Sequence, residues 1–287
     1  MTKTYGEALR DASCLLESRG IPDAGPDAWY IMSEVSGFSR AVFWAREDLA
    51  MPEEKLETYL KMIDKRAAHV PLQHILGEQD FCGLSFTVNP DVLVPRQDTE
   101  VLVEKCVDLA RGRRVLDLCT GSGCILISLA VLAWIKSGVG ADISEKALLV
   151  ARANMEKNSE SLKKAGDPPL GFVKSDLFEH VEGEFDLIVS NPPYIRSGEI
   201  EGLMEEVRDH EPRLALDGGE DGLYFYRRIV KEAKGHLSAD GAIAFEIGCD
   251  QRVAVEEILR ENGFRGIRSY RDLAGLDRVV TGYVREA

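Results

Sequence analysis

The sequence predicts an α/β fold, a doubly wound and mostly parallel sheet preceded by a small helical bundle. Three observations carry that prediction. From Arg113 onward, short apolar runs alternate with helix-like stretches, the pattern that builds a parallel sheet with helices on both faces. Before about residue 70, apolar residues recur at helical spacing, as in Leu9, Ala12, Leu15 and Leu16. Between these regions the pattern changes to strand-like alternation around turn residues. The expected organisation is a helical region over residues 1–70, a β-hairpin linker over 71–96 and an α/β domain over 97–287.

In the helical region, Pro26 marks the expected start of a helix carrying Ala28, Trp29, Ile31, Met32 and Val35, and Gly37 closes it. Ser39 is placed to cap a third helix with Val42, Phe43 and Trp44, and Pro52 opens a fourth with Leu56, Tyr59, Leu60 and Ile63. These stripes read as core. In the linker, Phe81–Val88 reads as one strand and Val92–Pro95 as its partner, with Asn89-Pro90-Asp91 as the turn. Arg96, Asp98, Thr99 and Glu100 follow. Asp98 or Thr99 can cap a helix to about Ala110, and the cluster is either a solvated face or a rim over a ligand pocket.

The α/β domain begins with a strand at Val115–Cys119, the turn Thr120-Gly121-Ser122-Gly123 and an apolar helix from Cys124. Val139–Asp142 is a second strand, and a helix from Ser144 to about Asn158 follows, capped by Ser144. Gly171–Asp176 is the third strand and Phe185–Val189 the fourth. A helix over Gly222–Leu237, a strand over Ala242–Ile247 and a helix over Asp250–Asn262 come next. Phe264–Tyr270 and Arg278–Val284 are the last two strands, the final one expected to enter antiparallel.

Composition narrows the function classes. The chain has 287 residues, 45% of them hydrophobic and 29% charged, enough apolar mass for a proper core. With 35 basic and 49 acidic residues its net charge is −14, which disfavours an extended phosphate-backbone interface. The six cysteines form no C-x-x-C pair, so no metal site is expected and the thiols read as reduced. Charges run through the first twenty residues, unlike a secretory signal, and the apolar run Cys124–Ile135 is too short to cross a bilayer. The expectation is a cytoplasmic protein with no membrane partner.

The candidate site lies where the predicted strands end, since open α/β sheets bind ligands at the carboxyl ends of their strands. Those ends carry Asp117 with Cys119, Thr120, Gly121, Ser122 and Gly123, then Asp142, then Asp176 with Leu177, then Asn191-Pro192-Pro193-Tyr194. Gly121 and Gly123 let main chain approach a ligand at a helix N-terminus. A lone G-x-G is weak evidence, and Leu126 stands where a dinucleotide fold wants a third glycine. Asp142 lies about twenty residues past the glycines, where a carboxylate accepts from ribose hydroxyls, although Asp at that place is also a helix-capping residue. S-adenosylmethionine (SAM) suits the set better than NAD or ATP. It offers a ribose to Asp142, an adenine to Asp176 and Leu177, an amino-acid tail to the glycine turn and a sulfonium to the acidic surroundings.

Asn191 precedes a proline and is held extended, while Pro192 and Pro193 fix two φ angles and offer no N–H. The loop therefore presents the Asn191 side-chain oxygen and bare carbonyls, with Tyr194 to pack on a planar group. Such a notch takes both hydrogens of an –NH2, and the chemistry it suits is methyl transfer to an amide or amino nitrogen.

Chain-wide, from the helical N-terminal region through Pro71-Leu72-Gln73-His74-Ile75-Leu76-Gly77 and on to Gly218-Gly219-Glu220-Asp221-Gly222-Leu223, the sequence resembles the protein-(glutamine) N-methyltransferases that modify peptide chain release factors, the HemK/PrmC family. The resemblance also rests on Val92–Glu100, the Leu116–Gly123 turn, Asn191-Pro192-Pro193-Tyr194 and His210-Glu211-Pro212. The tetrapeptide alone is shared with DNA adenine methyltransferases; joined to the other elements it is specific. The resemblance implies a Rossmann-like, seven-stranded class I methyltransferase domain that binds SAM through the glycine turn and Asp142. It implies that Asn191 contacts both cofactor and substrate, that Pro192, Pro193 and Tyr194 help receive the glutamine of a Gly-Gly-Gln motif, and that the helical region docks the release factor. A monomer with no direct nucleic-acid binding is expected. Cys119 stands where many members have glycine and is expected to stay extended; Gln97 stands where many have proline. A nucleic-acid adenine amino-methyltransferase and a non-enzymatic SAM-binding module are the rival readings.

Overall fold

The computed structural model describes residues 3–285 and divides them into two units. The first comprises the chain up to Gly77 together with Met204–His210. Its helices are α1 (Tyr5–Ser18), α2 (Ala24–Ser36), α3 (Arg40–Arg46), α4 (Glu53–Ala67) and α5 (Leu72–Leu76). Thr4 starts α1 with a reciprocal capping box: its hydroxyl accepts from the Glu7 N–H, and the Glu7 carboxylate accepts from the Thr4 N–H. Ser39 caps α3, and Gly37 ends α2 in the left-handed conformation (φ 73°). Ala8, Leu16, Ile31, Met32, Phe43, Tyr59 and Ile63 close the core. The expected stripes are less complete than the periodicity suggests, because Val42, Trp44 and Leu60 are exposed. Arg66 is buried in this unit; its Nε donates to Asp27 at 2.7 Å and its Nη2 to Glu206, on the helical turn Glu205–Arg208, at 2.5 Å.

The second unit holds Glu78–Leu203 and the chain from Glu211. It opens with a hairpin of β1 (Glu78–Phe81) and β2 (Leu84–Thr87). This corrects the expected pairing of Phe81–Val88 with Val92–Pro95. Cys82 and Gly83 both take positive φ (50° and 74°), the requirement of a two-residue hairpin turn, so the chain reverses inside the stretch read as a single strand. Leu72–Leu76, placed in the linker, is helical and belongs to the first unit, as does Met204–His210, placed in the α/β domain. Asn154 carries the β2 edge: it accepts from the Thr87 N–H at 2.6 Å and donates to the Thr87 and Ser122 carbonyls.

After α6 (Gln97–Ala110), the main sheet takes β3 (Arg114–Leu118), β4 (Ser137–Asp142), β5 (Leu170–Lys174), β6 (Phe185–Ser190), β7 (Leu237–Glu246), β8 (Arg265–Arg271) and β9 (Asp277–Tyr283). Their order is β5-β4-β3-β6-β7-β9-β8; β5 through β7 are parallel, and β9 runs antiparallel to both its neighbours. The remaining helices are α7 (Cys124–Ala133), α8 (Glu145–Lys157), α9 (Ser159–Lys164), α10 (Glu205–Arg208), α11 (Arg213–Leu216), α12 (Tyr224–Ala233) and α13 (Arg252–Glu261), with a 3-10 turn at Ser197–Gly202. Side chains alternate along the strands. Val115, Leu187, Val189 and Ala244 enter one core with α6 and α7, while Leu116, Ile188, Ile243 and Phe245 enter the other with α12 and α13. Two expectations shift at element ends. Neither Asp98 nor Thr99 caps α6, which starts earlier at Gln97 with no side-chain cap, and Leu237 opens β7 instead of closing a helix. Among the described residues no helix is long and apolar enough to cross a membrane.

Candidate active site

The chain leaves β3 toward β4 and β5 on one side and returns through β6 and β7 on the other. The carboxyl ends of β3 and β6 therefore flank the reversal point where such sheets open a crevice. A cavity of about 210 Å³ lies there.

The first wall is the turn after β3. Cys119, Gly121 and Gly123 all take positive φ (58°, 53° and 77°). Cys119 is thus left-handed and not extended as expected, a conformation costing a non-glycine residue roughly 1–2 kcal/mol. The turn needs it: the next N–H, of Thr120, is delivered to the Ala141 carbonyl on β4 at 3.0 Å. At Gly123 a Cβ would sit 3.1 Å from that of Ala151, so the turn packs closely on α8. Asp142, at the tip of β4, fixes the turn from the other side. Its Oδ2 accepts from the Gly121 N–H and its Oδ1 from the Ser144 N–H, both at 2.9 Å. The capping alternative for Asp142 falls away, because Ser144 itself caps α8 through the Ala147 N–H. Burial raises the Asp142 pKa against the pull of those backbone donors. Asp117 lies behind the turn, fully buried, with Thr120 Oγ1 donating to it at 2.6 Å; burial pushes its carboxyl up to about 7.

Asp176 and Leu177 close the wall after β5. Leu177 is buried with φ 54°, and Asp176 receives both guanidinium nitrogens of Arg228 at 2.9 and 3.1 Å. The fourth wall is Asn191-Pro192-Pro193-Tyr194. The Asn191 Nδ2 donates to Thr99 Oγ1 at 3.4 Å, which leaves its Oδ1 without a protein donor among the described residues. Tyr194 reaches back into the protein, its hydroxyl donating to Glu246 at 3.4 Å.

Cys119, Thr120, Gly121, Ser122, Asp142, Asp176, Leu177, Asn191 and Pro193 thus share one cavity. Asp117, Gly123, Pro192 and Tyr194 stand just outside its lining. Of the charged cluster after the hairpin, Arg96 and Thr99 line the cavity, whereas Asp98 pairs with Arg278 at 3.0 Å and Glu100 accepts from the Cys82 N–H. Sequence reasoning missed Arg228, Phe225 and Glu246. The first two sit on a helix with no motif. Glu246 carried one usable signal, a lone acid ending an apolar strand.

This is the architecture of a class I methyltransferase. Residues 96–264 match the family model described as "Methyltransferase small domain", and residues 7–77 match the "PrmC N-terminal domain". A release factor glutamine methyltransferase from Geobacter sulfurreducens is 38% identical over 94% of this chain and 93% of its own length. One from Agrobacterium fabrum is 38% identical over 97% and 96%. The chain belongs to the release factor glutamine methyltransferase family. A methyltransferase from Pyrococcus furiosus shares the fold, with a TM-score of 0.54, 19% identity, and coverage of 77% of this chain and 98% of that one.

The residues present fit SAM, the methyl donor of this class. The cavity has carboxylates at Asp142 and Asp176, no lysine among its described lining residues, and two arginines already paired with acids, Arg96 with Glu211 and Arg228 with Asp176. That donor set suits a cation with a ribose and suits a polyphosphate poorly.

Proposed function

We propose that the chain transfers the methyl group of SAM to the side-chain amide nitrogen of the glutamine in the Gly-Gly-Gln motif of peptide chain release factors. The observation that carries this reading is Asn191: it lines the same cavity as Asp142 and the glycine turn, and its NH2 end is engaged by Thr99 while its oxygen is left to accept. Asp142 would hold the ribose, the Cys119–Gly123 turn with Asp117 behind it the amino-acid end, and Asp176 with Leu177 the adenine. Bound SAM supplies an electrophilic methyl carbon on a sulfonium.

An amide nitrogen is a poor nucleophile because its lone pair is delocalised. The Asn191 oxygen and the Pro192 carbonyl accept its two N–H groups, favouring a pyramidal nitrogen with a localised lone pair. These bonds strengthen as positive charge grows on nitrogen, so they stabilise the transition state more than the bound substrate. As the N–C bond forms the S–CH3 bond would break, the sulfonium would leave as a neutral thioether, and the surplus amide proton would pass to solvent after transfer. Pro192 and Pro193 keep the loop stiff and offer no competing donor. The release factor docks on the helical region, where Tyr30 and Trp44 present exposed aromatic surface. We take the enzyme to act as a cytoplasmic monomer without binding nucleic acid directly, consistent with its −14 charge.

The test is to incubate the chain with methyl-labelled SAM and a purified release factor, then with that factor carrying Gln→Ala in its tripeptide, and with DNA. Label is expected on the first alone. Label on both proteins, or on DNA, would overturn the assignment. Asn191→Ala is expected to keep SAM affinity by calorimetry and to lose transfer roughly 100-fold or more, whereas Asp142→Ala weakens SAM binding itself.

A further inference from the structure

Arg96 lines the cavity and takes no part in the reaction above. It precedes α6, and its carbonyl accepts from the N–H of Thr99, the residue whose hydroxyl accepts from the Asn191 NH2 at 3.4 Å. It therefore stands on the Asn191 side of β3, away from Asp142 and Asp176 at the ends of β4 and β5. One prong of its guanidinium is fixed. Nη2 donates at 2.7 Å to Glu211, whose side chain is 1% exposed, whereas that of Arg96 is 43% exposed. Nε and Nη1 donate to no described residue. The other arginine of the cavity, Arg228, has both terminal nitrogens on Asp176. Arg96 is thus a planar fork anchored by a buried carboxylate, with donors to spare.

The proposed substrate has a matching need. Two glycines present only main chain, so a bound Gly-Gly-Gln segment brings carbonyls as well as N–H groups into the crevice. The Asn-Pro-Pro-Tyr loop can serve the N–H groups, but Pro192 and Pro193 have no N–H to give in return. A carbonyl taken out of water without a donor is costly. We propose that Arg96 is a substrate-binding residue: its remaining guanidinium N–H groups receive a main-chain carbonyl of the two glycines, and Glu211 holds the guanidinium for that contact. This rests on the reading of Gly-Gly-Gln as the acceptor segment. Glu211 already balances the charge, so Arg96 has donors left and not a net cation, which suits a neutral carbonyl better than the carboxylate of SAM. The carbonyl of the reacting amide is a worse target still. A cation there favours the delocalised form, whose lone pair is withheld from the methyl group, and stabilises the bound substrate more than the transition state. Tighter substrate binding with little effect on the chemical step is therefore the signature of the contact.

The experiment uses the full chain with labelled SAM at saturation and a purified release factor over a range of concentrations. Arg96→Gln is expected to raise KM for the release factor roughly 10- to 100-fold. Its kcat should stay within about threefold, and its SAM affinity by calorimetry within about twofold, of the natural chain. Arg96→Lys keeps a cation against Glu211 but loses the fork, so KM should rise there too, and it decides the matter if Arg96→Gln does not fold. A second readout needs no methyl transfer. A release factor carrying Gln→Ala keeps both glycines, and its calorimetric affinity for the SAM-loaded chain should fall by the same factor in Arg96→Gln. A release factor that binds but takes no label would end the glutamine reading and leave Arg96 to be judged by that affinity. Label with natural KM in these variants would keep the reading and overturn the role of Arg96. Weaker SAM binding at natural KM would assign Arg96 to the cofactor carboxylate, and a loss of kcat at natural KM to the reacting amide. A parallel loss of KM, kcat and SAM affinity would assign it to the fold, and each of these three results overturns the proposal. A release factor that neither binds nor takes label overturns both readings.

Discussion

Asp117 and Glu246 are both carboxylic acids sealed from water, and both are pushed up to about 7 by burial, from ordinary values of 3.8 and 4.5. Over the interval between, the folded chain keeps protons that the unfolded chain has already released, so stability falls as pH rises from about 4 to about 7 and then flattens. Surface aspartates act with the opposite sign. Asp217, Asp221 and Asp272 are held below the ordinary value by the Ser197 hydroxyl, the Arg227 guanidinium and the Leu276 N–H, and their contribution is lost only as pH falls through that lower range. The two windows do not overlap. The thermal midpoint is therefore expected to peak at about pH 4 and to be lower at about pH 8. Asp117→Asn removes one of the two titrations, and the gap between the two midpoints should shrink. A midpoint that rises steadily from acid to base would contradict the account.

At the scale of elements, the Asn-Pro-Pro-Tyr loop is held by a stretch that follows it by more than twenty residues. Ile195 pairs with Asp217 in a parallel bridge, the Ile195 N–H reaches the Leu216 carbonyl, and the Gly218 N–H reaches the Ile195 carbonyl at 2.8 Å. A Cβ on Gly218 would lie 2.7 Å from Tyr194 Cα and 2.8 Å from the Pro193 carbonyl oxygen, main-chain atoms that cannot step aside alone. Gly218→Ala is thus expected to displace the loop. Methyl transfer should drop roughly tenfold or more, while SAM affinity, which on the proposed reading rests on the β3, β4 and β5 ends, stays within about twofold; equal loss of both would show that the stretch supports the whole cavity. The same contrast explains what was legible in the sequence. The loop and the glycine turn each lie in one continuous run after a buried strand, so local chemistry reveals them. Gly218 against Tyr194, Thr99 against Asn191 and Glu246 against Tyr194 are contacts between separate elements, and a periodicity has no means of registering them. The hairpin was misread for a different reason: Cys82 does not advertise the positive φ that it adopts beside Gly83.

At the scale of the molecule, the division into units does not follow the order of the chain, because Met204–His210 leaves the methyltransferase unit and joins the helical one. Nothing in its composition announces this, and the linear domain boundaries expected from pattern alone pass over it. One physical reason is Arg66. Its side chain is 4% exposed and lies between Asp27 of α2 and Glu206 of the excursion. Burial favours a neutral Asp27, and the guanidinium works against that. Removing one member of such a set leaves a buried charge without a partner, which costs more than the set contributes when intact. Arg66→Met is therefore expected to destabilise the helical unit by about 3 kcal/mol, and pairing it with Asp27→Leu should recover a good part of the loss by removing the stranded acid. The excursion gives the sharper readout. The Arg208 and Asp209 N–H groups close the short turn onto Met204 and Glu205 at 3.0 and 2.9 Å. In Arg66→Met they should exchange with solvent faster, while amides of β3 and β6 keep their protection. Unchanged exchange at Arg208 and Asp209 in that variant would mean that the excursion is held by its other polar contacts, His69 with Glu205 and His210 with the Ala68 carbonyl, and not by the buried arginine.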